Sequence, residues 1–435
     1  LPPLIGIDFG TTNSVVAVRQ ADGSVRTARF ANDTLDVFRT VLCFWRHAGP
    51  GVLHHAAGRG TLSHASGPAA VEAYLDDPLD SRLIMSMKTY LAQRSFRQTQ
   101  VHGRPFTLEQ LIALFLQDLL AGVDLAGARI IAGRPARFAG DLADDALGET
   151  RLREAYRQAG LGEIEVAFEP EAAGYRFTRS LTGAATVLIG DFGGGTSDFS
   201  ILQFDPGAGR TVTPLATVGV GVAGDALDYR IIDRVVSPRL GKGSTYRIMD
   251  NDMPIPAEYY AGLARWHRLS LMRTPKTLRE IADVARTAAA PEQLLCLLHL
   301  IQEELGYPLY QVVSGVKAAL SSADEAVLRF QHDDIDIVET VARVDFEAWI
   351  APELALLSAA VDRALTQAEV RAEEIDRVFL TGGTSFVPAV RRLFEQRFGA
   401  DRVAGNGADD MTDAGGAFVS VAEGLVLIGQ ERAGQ

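Results

Sequence analysis

One short pattern occurs twice in the chain. The first copy is Leu4-Ile5-Gly6-Ile7-Asp8-Phe9-Gly10-Thr11-Thr12-Asn13-Ser14, and the second is Leu188-Ile189-Gly190-Asp191-Phe192-Gly193-Gly194-Gly195-Thr196-Ser197-Asp198. Each is an apolar run, then Asp-Phe-Gly, then glycine or small hydroxylated residues, then another apolar run at 15–18 or 199–202. Apolar runs on either side of a Gly/Thr/Asn turn predict a β-hairpin. Glycine in the turn lets backbone N–H groups crowd around an anion. An aspartate at the strand end is the oxygen ligand that a hydrated magnesium ion takes. Two such hairpins facing each other would clamp a nucleoside triphosphate from both sides.

Composition bounds the alternatives. The chain has 435 residues, enough for two or three domains or one large two-lobed fold, and 47% of them are hydrophobic, ample for substantial cores. The net charge of -13 disfavours a general nucleic-acid or anionic-membrane partner, which needs a basic footprint. A nucleotide phosphate needs only a few local N–H groups, one lysine and a metal. Cys43 and Cys296 are far apart in apolar surroundings and read as buried thiols in a reducing compartment, so a cytoplasmic location is expected. No apolar run is long enough to span a bilayer, and no signal-peptide pattern is present.

Along the chain, 4–30 reads as three strands and 40–45 as another. Residues 47–70 lack periodicity and read as loop. His47, His54, His55 and His64 in that stretch match no ligand spacing and read as exposed loop histidines. Lys88 lies in a mostly apolar stretch, either snorkelling at the surface or contacting a phosphate. Helices are predicted at 107–121, with Thr107 as N-cap, and at 141–159. Short strands are predicted at 128–132 and 164–168. Glu169 then precedes Pro170, which suits a first helical position, so Glu169 reads as an N-cap or as a carboxylate projecting from a strand end. A strand at 211–218 and a helix at 226–236 follow. Gly219-Val220-Gly221-Val222-Ala223-Gly224 matches a dinucleotide loop but has no acidic residue suitably placed beyond it, so that reading is set aside. Residues 237–280 are irregular, 278–305 reads as helix broken near Pro291, and 310–321 as helix with Lys317 and Ser321 on one face. One long helix is predicted at 345–370. A strand at 378–380 leads into Thr381-Gly382-Gly383-Thr384-Ser385-Phe386-Val387-Pro388 and a helix at 389–398, and 415–425 reads as a small-residue helix that packs tightly.

These residues carry a resemblance. The two Asp-Phe-Gly loops resemble the phosphate loops of the actin-like ATPases, and are most similar to those of the DnaK-type heat-shock chaperones. Asp76-Asp77-Pro78 with Lys88, Gly133-Arg134-Pro135 and Glu169-Pro170-Glu171-Ala172-Ala173-Gly174 look like the truncated DnaK-like proteins of the YegD type. The match covers about residues 4–426. The resemblance implies an α/β fold: a two-lobed actin-like ATPase of duplicated, ribonuclease H-like sheet-and-helix domains, with nucleotide in a central cleft. Lobe I would span 1–184 and lobe II 185–372, with an outer subdomain at about 226–330. The adenosine motif and closing helices would fill 373–435, with no peptide-binding domain.

It also implies roles. Gly10, Thr11, Thr12, Asn13, Gly193, Gly194 and Gly195 would hold phosphates. Gly224, Asp225, Lys317, Ser321, Gly382, Gly383, Thr384 and Phe386 would contact the nucleotide, Lys317 and Ser321 at the nucleoside. Asp8 and Asp191 would hold Mg²⁺, mostly through its waters. Lys88 would offset γ-phosphate charge, Thr196 would assist at the phosphate, and Glu169 or Asp198 would orient or deprotonate water. Ala318 and Phe386 stand where typical DnaK-type chaperones place arginines that flank adenine, which leaves base preference open. The last DnaK-type motif's acidic residue has no counterpart in 415–424.

The expected activity is slow Mg-dependent ATP hydrolysis that cycles the chain between ATP and ADP states read by a protein partner or client. The competing readings are a nucleotide-binding pseudo-ATPase, a small-molecule kinase of the same superfamily and a filament-forming protein. No motif for a sugar pocket supports the kinase.

Overall fold

The computed structural model describes residues 3–30, 36–46, 62–77, 80–135, 137–138, 143–178, 183–205, 211–264, 269–404 and 414–434. The chain forms two compact units. The first comprises Leu1–Gly221, Leu356–Ser385 and Arg391–Gln435, and the second Val222–Ala355 with Phe386–Val390.

Among the described residues the first unit holds a three-stranded sheet of Leu62–Ser66, Val41–Arg46 and Ser81–Met85, the hairpin Gln98–Val101 with Arg104–Thr107, and two larger sheets. One runs in the order Glu165–Phe168, Arg129–Arg134, Leu4–Asp8, Asn13–Arg19, Val25–Thr27. The other runs Arg377–Thr381, Ala185–Phe192, Ser197–Asp205, Thr211–Val220. Their registers correspond. Leu4 pairs in parallel with Arg129 and Val187 with Arg377, while Asp8 lies antiparallel to Val15 and Asp191 to Asp198. The sequence motif is therefore the visible part of a larger repeat, a hairpin with a parallel strand beside its first arm.

Both faces of the first sheet are covered, which is why its strands read as near-continuous apolar runs rather than as alternation. Ile5, Ile7 and Val16 point into one core with Leu111, Ile112 and Phe115 of helix Leu108–Leu119 and Leu152 and Tyr156 of helix Asp145–Gln158. Leu4, Val15 and Ala17 point into the other, shared with Val187, Ile189 and Leu202 of the second sheet. Helices Glu169–Thr178 and Ala414–Gly434 supply Ala172, Ala173, Leu425 and Val426 to that shared core and so form a layer between the sheets. The two helices approach backbone to backbone: a Cβ on Gly424 would lie 1.7 Å from the Ala172 carbonyl oxygen.

In the second unit, helix Gly224–Ile231 runs on through a π turn at Ile232–Val236. Helices Pro275–Ala285, Pro291–Gln302 and Gly306–Leu320 follow, then the hairpin Glu325–His332 and Ile335–Ala342. The irregular 237–280 stretch contains a small hairpin, Thr245–Ile248 with Asn251–Pro254. No helix among the described residues is long and apolar enough to cross a membrane.

Several expectations are corrected. Within the stretch read as loop, Leu62–Ser66 is a strand paired with Val41–Arg46, and Gly67–Asp76 is a helix with Pro at its start. His64 sits in that strand 3.6 Å from Asp118, while His47, His54 and His55 lie outside the described residues. The helix read at 345–370 is two, Arg343–Trp349 and Ala351–Ala368, separated at Ile350. Pro352 accounts for the break, since proline lacks the N–H that a continuous helix would need there. Glu169 is the first residue of its helix.

Candidate phosphate and magnesium site

The chemistry-bearing residues of the first unit come from strand ends and the turns that follow them. Asp8 closes Leu4–Asp8 and Asp191 lies one residue from the end of Ala185–Phe192. The first turn is anchored by a hydrogen bond from the Thr40 N–H to the Thr12 carbonyl, 2.8 Å, and by the Ser14 and Thr40 hydroxyls at 2.8 Å. The second is closed by the Gly193 N–H donating to the Thr196 carbonyl at 2.9 Å. Gly10, Thr11, Thr12 and Asn13 are half-buried, as are Gly194, Gly195 and Thr196, and Gly193 is exposed.

Lys88 arrives from a different element. Strand Ser81–Met85 ends at Ser86, in a left-handed conformation (φ +54°), and the single turn Met87–Tyr90 then carries Lys88 inward. Its Nζ donates to Glu169 Oε1 at 2.6 Å, and both side chains are about nine-tenths buried. Gly133 makes room for Glu169: a Cβ there would lie 2.9 Å from the Glu169 Cγ.

The charges of these groups act on one another. Burial pushes the Asp8 carboxyl up to about 8, with Glu169 and Asp191 adding to the rise and Lys88 opposing it. Asp198 is likewise pushed up to about 8 by burial, then by Asp191 and Glu169. Glu169 is raised by burial against the pull of Lys88. Burial also disfavours the Lys88 ammonium, but Glu169 and Asp8 outweigh it and hold its pKa above the ordinary value. Four carboxylates thus share one ammonium. This donor set fits a hydrated divalent cation: hard oxygens, partly enclosed, with an excess of negative charge that a dication offsets.

Sequence reasoning missed three supporting residues. The Thr381 hydroxyl donates to Asp191 Oδ1 at 2.5 Å and fixes that carboxylate. Gly219 leaves space under Asp198, whose Oδ1 would lie 2.9 Å from a Cβ there. Asp228, 1% exposed, receives Lys317 Nζ at 2.9 Å, and the same ammonium donates to the Gly224 carbonyl at 3.2 Å. A lone buried Asp within an apolar helix face was the available signal for the last.

The remaining expected nucleotide residues are distributed between the units. Gly224, Asp225, Lys317 and Ser321 belong to the second, where Ser321 caps helix Gly306–Leu320 and its hydroxyl donates to the Lys317 carbonyl at 3.4 Å. Gly382, Gly383 and Thr384 belong to the first. Gly382 is left-handed (φ +83°) against the Phe192 carbonyl, Gly383 is exposed and the Thr384 side chain is buried. Phe386 is half-buried in the short segment that packs with the second unit.

Residues 307–433 match the Hsp70 protein family model. Over 99% of its length the chain is 24% identical to the chaperone protein DnaK of Thermosipho africanus, covering 60% of that protein. It is also 24% identical to the DnaK proteins of Deinococcus radiodurans (91% of this chain, 55% of the relative) and Thermus thermophilus (98% and 61%). The chain is a distant homologue of the DnaK and Hsp70 chaperones. Its α/β fold, with several sheets and covering helices, is consistent with the fold of that superfamily. The chain spans between 55% and 61% of the length of these relatives.

Proposed function

We propose that the chain is a Mg-dependent ATP-binding protein that hydrolyses ATP slowly and works as a DnaK-like nucleotide switch toward a protein partner. In this reading the two larger sheets of the first unit are the cores of two lobes, with boundaries near 1–184 and 185–372, and the phosphates lie between the two Asp-Phe-Gly turns. The observation that supports the reading is the repeated register of the two hairpins, with Asp8 and Asp191 at matching strand positions, together with the pull that both exert on the Lys88 ammonium.

Phosphoryl transfer to water requires mainly positioning and charge neutralisation. Backbone N–H groups and hydroxyls of the turns, from Thr11, Thr12, Asn13, Gly194, Gly195 and Thr196, would orient the phosphates. Asp8 and Asp191 would hold magnesium, which when bound neutralises phosphate charge. The Lys88 ammonium, kept protonated by Glu169, adds positive charge where negative charge builds on the transferred group. Asp198 or Glu169, both with raised pKa, would accept a proton from attacking water and hold that water in place.

A nucleotide-binding protein without hydrolysis is the second reading. Ala318 and Phe386 favour it, standing where the resemblance implies adenine-flanking arginines. Single-turnover hydrolysis of Mg-ATP and Mg-GTP by the purified chain, with Lys88→Ala and Asp198→Asn as controls, separates the two. Slow ATP turnover lost in both variants supports the switch. Tight binding without turnover overturns the catalytic claim.

A further inference from the structure

We propose that His299, His332 and Asp333 form a binding site for a divalent transition-metal ion of the zinc class, separate from the phosphate site. All three lie in the second unit. His299 is on helix Pro291–Gln302, His332 is the last residue of strand Glu325–His332, and Asp333 opens the two-residue turn into Ile335–Ala342. One ligand atom from each lies within 4.8 Å of the others.

The spacing is informative. His299 Nε2 is 3.4 Å and His332 Nδ1 3.3 Å from the same oxygen, Asp333 Oδ2. Imidazole–carboxylate hydrogen bonds would draw these atoms to about 2.8 Å. Tetrahedral zinc with bonds of about 2.0–2.1 Å instead holds neighbouring ligand atoms about 3.3 Å apart. These two separations fit the metal geometry, the third pair of ligand atoms lies within 4.8 Å, and one position is left for water. A second observation points the same way: His299 Nε2 is buried and has no hydrogen-bond partner among the described residues. Buried ring nitrogens are rarely left so. Two imidazoles with one carboxylate suit zinc rather than magnesium or calcium, which favour all-oxygen sets. A bound ion would fasten the hairpin turn to the helix.

The test titrates the chelator-treated, desalted full chain with zinc chloride by calorimetry, in magnesium-containing buffer, and with cobalt chloride by visible absorption. One zinc per chain is expected, in or below the micromolar range, with an intense tetrahedral cobalt spectrum and a rise in melting temperature on zinc addition. His299→Gln and Asp333→Asn should each weaken zinc at least about tenfold, and the double variant His299→Gln/His332→Gln should abolish the one-to-one binding. Asn tolerates the left-handed backbone of Asp333 (φ +45°), and melting without metal checks that each variant folds. Zinc binding only in the millimolar range, or binding retained in the folded double variant, overturns the proposal.

Discussion

Asp191 and Asp198 stand directly opposite one another across the second hairpin, where the first hairpin pairs Asp8 with Val15. A carboxylate thus replaces an aliphatic side chain at one of two matching positions. Like charges directly opposite destabilise a strand pair, and burial adds to the cost by pushing Asp198 up to about 8. Removing the charge while keeping the shape should stabilise the empty protein and harm its chemistry. Asp198→Asn is expected to gain about 1 kcal/mol, a rise of about 1 °C in melting temperature for a chain of this length. It should lose about 100-fold or more in ATP hydrolysis. A lower melting temperature with hydrolysis intact would contradict both parts.

The same groups give a pH signature. The carboxyls of Asp8 and Asp198 titrate near 8 when folded, against 3.8 for the ordinary group. Between those values the folded state holds protons that the unfolded chain has released, so stability falls as pH rises. The nucleotide-free, metal-free protein should therefore lose melting temperature between about pH 5 and pH 8. Asp8→Asn/Asp198→Asn should flatten that slope. An equal slope in the double variant would assign the loss to other groups.

The hairpins were legible because a turn between two apolar strands is local information. Elements whose signal depends on partners were not. Leu62–Ser66 is an edge strand with half-buried Leu, Ser, His and Ala, so it shows no clean alternation, and its helix begins at Gly67-Pro68, a pair that reads as turn. At the site, Asp8, Asp191, Lys88 and Glu169 were recognisable from their motifs. Thr381 was not, since its hydrogen bond to Asp191 joins residues far apart in sequence. The hairpin Glu325–His332 and Ile335–Ala342 did carry a signal, Ala326, Leu328 and Phe330 alternating with exposed residues.

Two glycines should separate folding from binding. Gly382 is left-handed, and a Cβ on it would fall 2.0 Å from the Phe192 carbonyl oxygen. Gly382→Ala is expected to destabilise by at least about 2 kcal/mol. A Cβ on Gly195 meets nothing within 4 Å among the described residues. Gly195→Ala should leave the melting temperature within about 1 °C of wild type, as an unstrained change does. It should nonetheless weaken Mg-ADP binding in a calorimetric titration, because the new methyl stands where a phosphate would approach the backbone. Unchanged affinity would place the phosphates elsewhere.

The two thiols should react differently. Cys43 is fully buried in the strand Val41–Arg46, and burial pushes its pKa up to about 11. Cys296 is only partly buried. The thiolate is the reactive form, so iodoacetamide at pH 8 should label Cys296 first and Cys43 only on unfolding. Mass spectrometry of the labelled peptides reads the order directly, and early labelling of Cys43 would contradict its placement in the core.

Lys88 and Glu169 offer the sharpest test of what the buried pair does. Each is the other's direct partner at 2.6 Å, and neither has ready access to water. Lys88→Ala strands a buried carboxylate next to Asp8 and Asp191, at a cost of about 3 kcal/mol, softened only as Glu169 takes up a proton. Glu169→Gln leaves an ammonium that Asp8 and Asp191 still face, so it should cost less. The double variant should be more stable than the sum of the singles predicts, by about 1–3 kcal/mol, as expected of residues in contact. Catalysis should follow a different rule. A lysine that offsets charge on the transferred phosphoryl group cannot be replaced by relieving its partner, so single-turnover hydrolysis should stay as low in the double variant as in Lys88→Ala. Recovery of hydrolysis together with stability would make the pair a structural clamp and leave the phosphate without its cation.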